Sequence, residues 1–214
     1  MLQNKIAIIY DFDGTLTPKT MQEYTLLPKL GITSKNFWAS IIKETKETGA
    51  ETMMVYMRHL LDSAIEKNIQ ISKNEFYKMG KDIKYYQGVK EWFGNIDKYV
   101  EKKSNGEIKI YHYIISAGHL EILEGISIKK FIKKIFASEY YYNSKKHAVF
   151  PKVVITDTAK TQYIFRINKG KELLSQSINK HMSEKKRPIP FDNMIYIGDG
   201  LTDVPSMALL KKEG

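Results

Sequence analysis

Cysteine is absent from this 214-residue chain, which excludes disulfides, thiolate metal sites and a cysteine nucleophile. Long apolar runs are missing too, and none approaches the roughly 20 residues that a membrane-spanning helix needs. The stretch from Met1 to Tyr10 lacks the basic segment, long apolar centre and small-residue cleavage site of a secretion signal. The chain is therefore expected in the cytoplasm, with no membrane partner. Arginine is scarce: Arg58, Arg166 and Arg187 are all there is, so the net charge of +10 is lysine charge. Bidentate reading of phosphates and base edges favours arginine. A solvated lysine-rich surface accounts for the charge better than a polyanion site, and nucleic acid is not the expected partner.

What is there describes a folded α/β protein. With 43% hydrophobic and 27% charged residues the chain is globular rather than disordered. Lys5 to Tyr10 is an apolar, β-branched run suited to a strand buried on both faces, and it stops at the polar turn Asp11-Phe12-Asp13-Gly14-Thr15. From about Thr20 to Gln87 the pattern is helical. Phe37, Trp38, Ile41 and Ile42 form one stripe after a cap at Ser34; Met53, Met57, Leu60, Leu61 and Ile65 form another, and a third helix runs from Asn74 to Ile83. Gly88 opens a further helix. Strands are expected at Ile108–Ile115, Lys134–Ser138 and Asn193–Gly198, with a helix over Leu120–Phe131, a hairpin within Tyr140–Thr156, and a helix from Lys169 to about His181. Strands alternating with helices predict a Rossmann-like parallel sheet sandwiched by helices.

In such sheets ligands bind beyond the carboxyl ends of the strands. Three segments place polar residues there: Asp11 with Asp13, Ser116, and Asp199 with Asp203. Carboxylates gathered in one crevice repel one another, and a divalent cation resolves the conflict; oxygen-only ligands point to Mg²⁺. An anionic substrate would also need a counter-cation, which a lysine at a helix start can supply.

These residues carry a family resemblance. Asp11-Phe12-Asp13-Gly14-Thr15-Leu16-Thr17 resembles motif I of the haloacid dehalogenase-like superfamily, Ser116 its motif II, and Gly198-Asp199-Gly200-Leu201-Thr202-Asp203 its motif IV, each after a strand. The resemblance implies a phosphatase in which Asp11 is the nucleophile and forms an aspartyl-phosphate. Asp13 would be the general acid and base, and its backbone carbonyl would help to hold Mg²⁺. Thr15 and Ser116 would bind phosphoryl oxygens, Asp199 would be a metal ligand, and Asp203 a further ligand or the residue that orients one. The superfamily's lysine is assigned to Lys169, in Asn168-Lys169-Gly170-Lys171, with Lys160 as the rival.

Residues 18–87 fall between motifs I and II and resemble the helical C1 cap of the phosphoserine phosphatase-like branch, leaving 1–17 and 88–214 as the catalytic core. A small phosphorylated metabolite is the implied substrate. Glu23, Tyr24, Arg58 and His119 are the candidates for contacting its leaving group, but Lys19 and Thr20 stand where phosphoserine phosphatases carry a recognition glutamate. Members of the family usually continue past motif IV with at least one more strand, so the resemblance implies either a chain truncated after Gly214 or a naturally short sheet. Two other readings are a phosphotransferase using the same intermediate, and a non-catalytic polyanion-binding protein on the same scaffold.

Overall fold

Lys5–Tyr10 forms strand β1, and its side chains enter two separate cores: Ile8 and Tyr10 one, Ala7 and Ile9 the other. That is the period-two geometry of a strand buried on both faces. The computed structural model describes residues 3–69 and 71–214; Met1 and Leu2, which open the N-terminal stretch read above, lie outside them. Four more strands complete the sheet: β2 (Lys109–His119), β3 (Ile132–Tyr142), β4 (Ala148–Val153) and β5 (Met194–Ile197). Their order is β4-β3-β2-β1-β5. β5, β1, β2 and β3 run parallel, while β3 and β4 form the antiparallel hairpin expected around Pro151. The sheet therefore reverses its direction of growth at β1, and the crevice of a parallel sheet opens at such a switch point.

Between β1 and β2 every regular element among the described residues is helical: α1 (Met21–Tyr24), α2 (Leu26–Leu30), α3 (Ser34–Thr48), α4 (Thr52–Glu66), α5 (Lys73–Met79), a 3₁₀ turn at Gly80–Asp82, and α6 (Val89–Lys103). Phe37, Ile41, Tyr56, Leu60 and Phe76 share one continuous apolar core with Ile8, Tyr10 and Ile114 of the sheet. After β2 come α7 (Leu120–Leu123), then α8 (Ala159–Lys169) and α9 (Val204–Glu213). Tyr163, Ile164, Ile167 and Leu210 of α8 and α9 close the opposite face over Ala7, Ile9 and Tyr113. Among the described residues no helix is long and apolar enough to cross a membrane.

Three expectations need correction. The helix expected over Leu120–Phe131 lasts four residues. At Gly125 a side chain would collide with the Tyr77 carbonyl, and at Gly80 with the Ile122 carbonyl, so α5 and α7 meet backbone to backbone and the chain turns away. The cap of α3 is Thr33, whose hydroxyl accepts from Asn36 N, with Ser34 the first helical residue. Finally, Lys169 ends a helix rather than starting one. Gly170, at φ +63°, is the left-handed residue that closes α8, and a lysine in the last turn suits the negative end of the helix. No regular helix covers 171–181; the Arg166 guanidinium instead gathers the carbonyls of Lys171, Leu173 and Gln176 at 3.1, 2.8 and 3.1 Å.

The end of β1 is firmly held. The Trp92 indole donates to the Tyr10 hydroxyl at 2.7 Å, and that hydroxyl meets His112 Nδ1 at 3.0 Å. One residue on, Asp11 N donates to the Ile197 carbonyl at 2.8 Å, so Asp11 is fixed at the seam between β1 and β5.

Candidate active site

Lys160 stands at the centre of the polar crevice. It is the second residue of α8, is buried, and donates to Asp11 Oδ1 at 2.8 Å and Asp203 Oδ1 at 2.6 Å. A buried ammonium between two buried carboxylates is stable only as a fully paired unit. Both aspartates hold the Lys160 pKa above its ordinary value, against the burial that would lower it. Lys169 lies elsewhere, donating to the carbonyls of Ile178 and Lys180. The structure thus brings the rival lysine to the aspartates and not the favoured one. The usable signal was the helix boundary: a lysine beside the positive helix N-terminus had to be Lys160 once Gly170 was read as a C-terminal cap.

Asp203 is the most constrained carboxylate. Its Oδ1 accepts from Lys160 and from the Tyr196 hydroxyl at 2.7 Å, and its Oδ2 accepts from Gly200 N at 3.1 Å. Tyr196 was not singled out from the sequence, because an inward tyrosine on a short strand looks like ordinary core. Asp199 is exposed at the mouth, and Thr15 donates its hydroxyl to Asp199 Oδ1 at 2.7 Å. Thr15 therefore orients Asp199 here. Gly14, at φ +86°, lets the turn lie against Asp199; any side chain there would collide with that carboxylate.

One oxygen from each of Asp11, Asp199 and Asp203 lies within 4.8 Å of the others. Three hard oxygen donors at that spacing, with no nitrogen or sulfur, fit a small divalent cation such as Mg²⁺. Asp13 is set apart. Its Oδ1 accepts from Met21 N at 2.8 Å, so its carboxyl faces the first turn of α1. Ser116 is buried at the end of β2, where its oxygen accepts from Gly118 N at 3.0 Å and its own proton is left for another acceptor.

The two aspartates of the turn titrate apart. Burial pushes Asp11 up to about 6, with the Lys160 charge pulling against it. Burial, reinforced by the Asp11 charge, pushes Asp13 up to about 8. An acid whose pKa is higher folded than unfolded keeps an extra proton in the folded state, so stability is lost as pH rises from the unfolded value through the folded one. His119 works in the other range: burial lowers it to about 3, and its contribution is lost only as pH falls below the unfolded value. Between about 6.5 and 8 the Asp13 effect dominates. In EDTA the protein should lose on the order of 1 kcal/mol across that window, and Asp13→Asn should flatten the slope. Thermal melts at stepped pH measure this, and a flat profile for the parent chain would contradict the raised pKa of Asp13.

The remaining candidates separate clearly. The Glu23 carboxylate accepts from Thr20 N and Oγ1 at 3.2 and 3.3 Å, capping α1. Arg58 is half exposed and pairs with Glu44 and Asp62. His119 does lie in the interface: it is fully buried, its Nε2 is 2.7 Å from the Tyr56 hydroxyl, and its backbone N–H donates to the Met21 sulfur at 3.2 Å.

Solved structures share this arrangement of strands. A HAD family hydrolase from Salmonella enterica serovar Typhi superposes with a TM-score of 0.64 over 96% of this chain, at 15% identity. The fold is that of the haloacid dehalogenase-type hydrolases. A phosphoserine phosphatase carrying an analogue of its phospho-aspartyl intermediate matches at TM-score 0.61 and 18% identity, over 99% of this chain and 91% of the other. A phosphoserine phosphohydrolase-like protein from Francisella tularensis matches at 0.55 and 21%, over 97% and 82%. The chain spans 59% of the length of the Salmonella hydrolase. By sequence it is 29% identical to an uncharacterized protein of Borreliella burgdorferi, over 97% of this chain and 79% of that one. No family model matches. The haloacid dehalogenase-type architecture puts the carboxyl ends of β1, β2 and β5 at one crevice, where Asp11, Asp13, Ser116, Asp199 and Asp203 are found.

Proposed function

We propose that this protein is a Mg²⁺-dependent phosphatase that hydrolyses a small phosphomonoester through an aspartyl-phosphate on Asp11. The observation that carries the reading is the division between two carboxylates of one turn. Asp11 is paired with Lys160 and ionised at neutral pH, while Asp13, pushed up to about 8, keeps its proton. A nucleophile must be ionised and a general acid protonated, and different surroundings give each aspartate its state.

Asp11 attacks phosphorus, and its carboxylate oxygen forms the new bond as the ester P–O bond breaks. Asp13 gives its proton to the departing oxygen. In the second half the ionised Asp13 takes a proton from water, whose oxygen attacks phosphorus and returns Asp11 as a free carboxylate. The Ser116 hydroxyl and the Lys160 ammonium bind phosphoryl oxygens, Lys160 while keeping its hold on Asp203. Asp11, Asp199 and the Asp13 backbone carbonyl would hold Mg²⁺, with Asp203, whose Oδ1 anchors Lys160, as a further ligand or the residue that orients one. When bound, Mg²⁺ neutralises charge on the phosphoryl group. The helices between β1 and β2 act as a cap: α1 touches both Asp13 and the Ser116 segment, excluding bulk water and bulky substrates.

Phosphate release from a panel of small phosphomonoesters, with Mg²⁺ and with EDTA, tests the reading. Turnover should require the metal and fall by on the order of a hundredfold or more in EDTA. Transfer to an added alcohol with no free phosphate would favour the phosphotransferase instead.

A further inference from the structure

β4 is an edge strand, and it leaves apolar side chains in water. In a strand packed on one face, consecutive residues alternate between core and solvent. Val149 and Phe150 are consecutive and both are exposed, so neither face of β4 is covered there. A register shift between Tyr141 and Tyr142 leaves Val149 as an extra residue, and Phe150 stands directly across from exposed Tyr141. Two residues before Tyr141, Glu139 pairs with Lys152 at 2.9 Å, and both line a cavity of about 250 Å³. Leu173 and Leu174, in the irregular segment after α8, line the same cavity. Tyr141, Val149, Phe150, Leu173 and Leu174 are thus between 49% and 58% exposed around one margin of the sheet. Apolar side chains gathered at a surface in this way mark a contact site.

The charge around them is positive. Glu139 is taken by Lys152, and Glu172 by Lys133 at 2.8 Å. Lys134, at the cavity, and Lys145 and Lys146, in the hairpin turn, have no carboxylate partner among the described residues. Asn143 builds that turn: its Oδ1 accepts from Lys145 N and His147 N, both at 3.0 Å, and Lys146 adopts φ +62°. Glycine or asparagine takes that backbone more readily, so the turn carries its lysine against a local cost. An anionic partner with an apolar interior complements such a surface.

The details select a lipid layer. Pro151 and the register shifts deny an incoming strand the row of backbone groups it needs, and Ala148 N is already given to the Ile71 carbonyl at 2.9 Å. A second copy, docked by the same patch, would set the unpaired lysines against one another. Protein interfaces favour arginine and are poor in lysine, yet neither the hairpin nor the cavity has an arginine. Ammonium groups on long apolar stems suit lipid headgroups well. Long apolar runs are what a spanning helix needs; attachment at a surface needs none.

We propose that the β3–β4 hairpin and the Leu173-Leu174 segment dock on an anionic membrane surface, with Tyr141, Phe150 and the two leucines entering the interface and Lys134, Lys145 and Lys146 meeting lipid phosphates. β3 runs on past Ser138, the partner of the last residue of β2, so the hairpin stands on the same side of the sheet as Asp11. Docking does not depend on the chemistry there.

Co-sedimentation of the full chain with extruded vesicles tests it. Binding should appear with equimolar phosphatidylcholine and phosphatidylglycerol, be about tenfold weaker or less with phosphatidylcholine alone, and fall with added salt. Tyr141→Ser with Phe150→Ser should weaken binding to the anionic vesicles by about tenfold or more, and Lys145→Gln with Lys146→Gln by about as much. All four side chains are exposed, so the melting temperature and phosphate release should match the parent. Phe150→Trp should add emission that shifts to the blue with anionic vesicles, which adsorption by charge alone would not produce. No binding to either vesicle, equal binding to both, or loss with the lysine pair and none with the aromatic pair would overturn the assignment. A dimer that the aromatic pair converts to monomer would give the surface to a second copy. A single-stranded oligonucleotide bound more tightly than the vesicles would give it to nucleic acid, and either result also overturns the membrane.

Discussion

Asp11→Asn should reduce phosphate release by on the order of 10⁴-fold or more while leaving the protein folded, because the substitution removes the nucleophile and little else. Asn matches Asp in shape and keeps an oxygen to accept from Lys160, which retains its 2.6 Å bond to Asp203. It also removes a charge that burial disfavours, since desolvation is what pushes Asp11 up to about 6. The melting temperature in EDTA should thus stay level or rise, most visibly above neutral pH, where the parent carboxylate is ionised. Asp13→Asn should behave differently. With an activated aryl ester the first half-reaction needs little help from an acid, but the second still lacks its base, so phosphorylated protein should accumulate. Intact-mass measurement after brief exposure to p-nitrophenyl phosphate separates the two: added phosphate on Asp13→Asn, none on Asp11→Asn. The reverse pattern would exchange the two roles and defeat the assignment.

Much of this arrangement was legible because short-range rules and long-range packing agree. The run from Lys5 to Tyr10 is apolar on both faces, and only a central strand uses such a run. A polar turn after it then belongs at the carboxyl edge of the sheet, and the same holds for Ser116 and Asp199. Legibility failed where tertiary contact overruled local pattern. The periodicity from Leu120 to Phe131 is that of a helix, but the close approach of Gly125 to the Tyr77 carbonyl ends it early. Lys169-Gly170 fits a helix start by composition and a helix end by geometry, and the Arg166 guanidinium holds the following carbonyls in turns that leave no pattern in sequence.

The contrast between the two lysines yields the other large expected effect. Lys160→Met removes the only cation bonded to Asp11 and Asp203 among the described residues, and it leaves two buried carboxylates facing each other. Breaking a buried pair in this way typically costs about 3–5 kcal/mol, so a marked fall in melting temperature is expected in EDTA. Mg²⁺ should restore part of it by neutralising Asp11. Activity should fall by about 10²–10³, the usual size for losing a charge that stabilises a transition state. The surviving activity should peak at higher pH, because the Lys160 charge is what pulls Asp11 down and the nucleophile would ionise later without it. Adding Asp203→Asn to Lys160→Met should recover stability, since it removes a charge that has lost its partner; the same change in the parent protein should cost stability. Lys169→Met is the control. It removes hydrogen bonds to the Ile178 and Lys180 carbonyls, which costs about 1 kcal/mol of stability and leaves kcat within about twofold. Equal activity loss from the two variants would mean that the buried Asp11–Lys160–Asp203 unit is scaffolding, and the charge that meets the phosphoryl group would have to come from elsewhere.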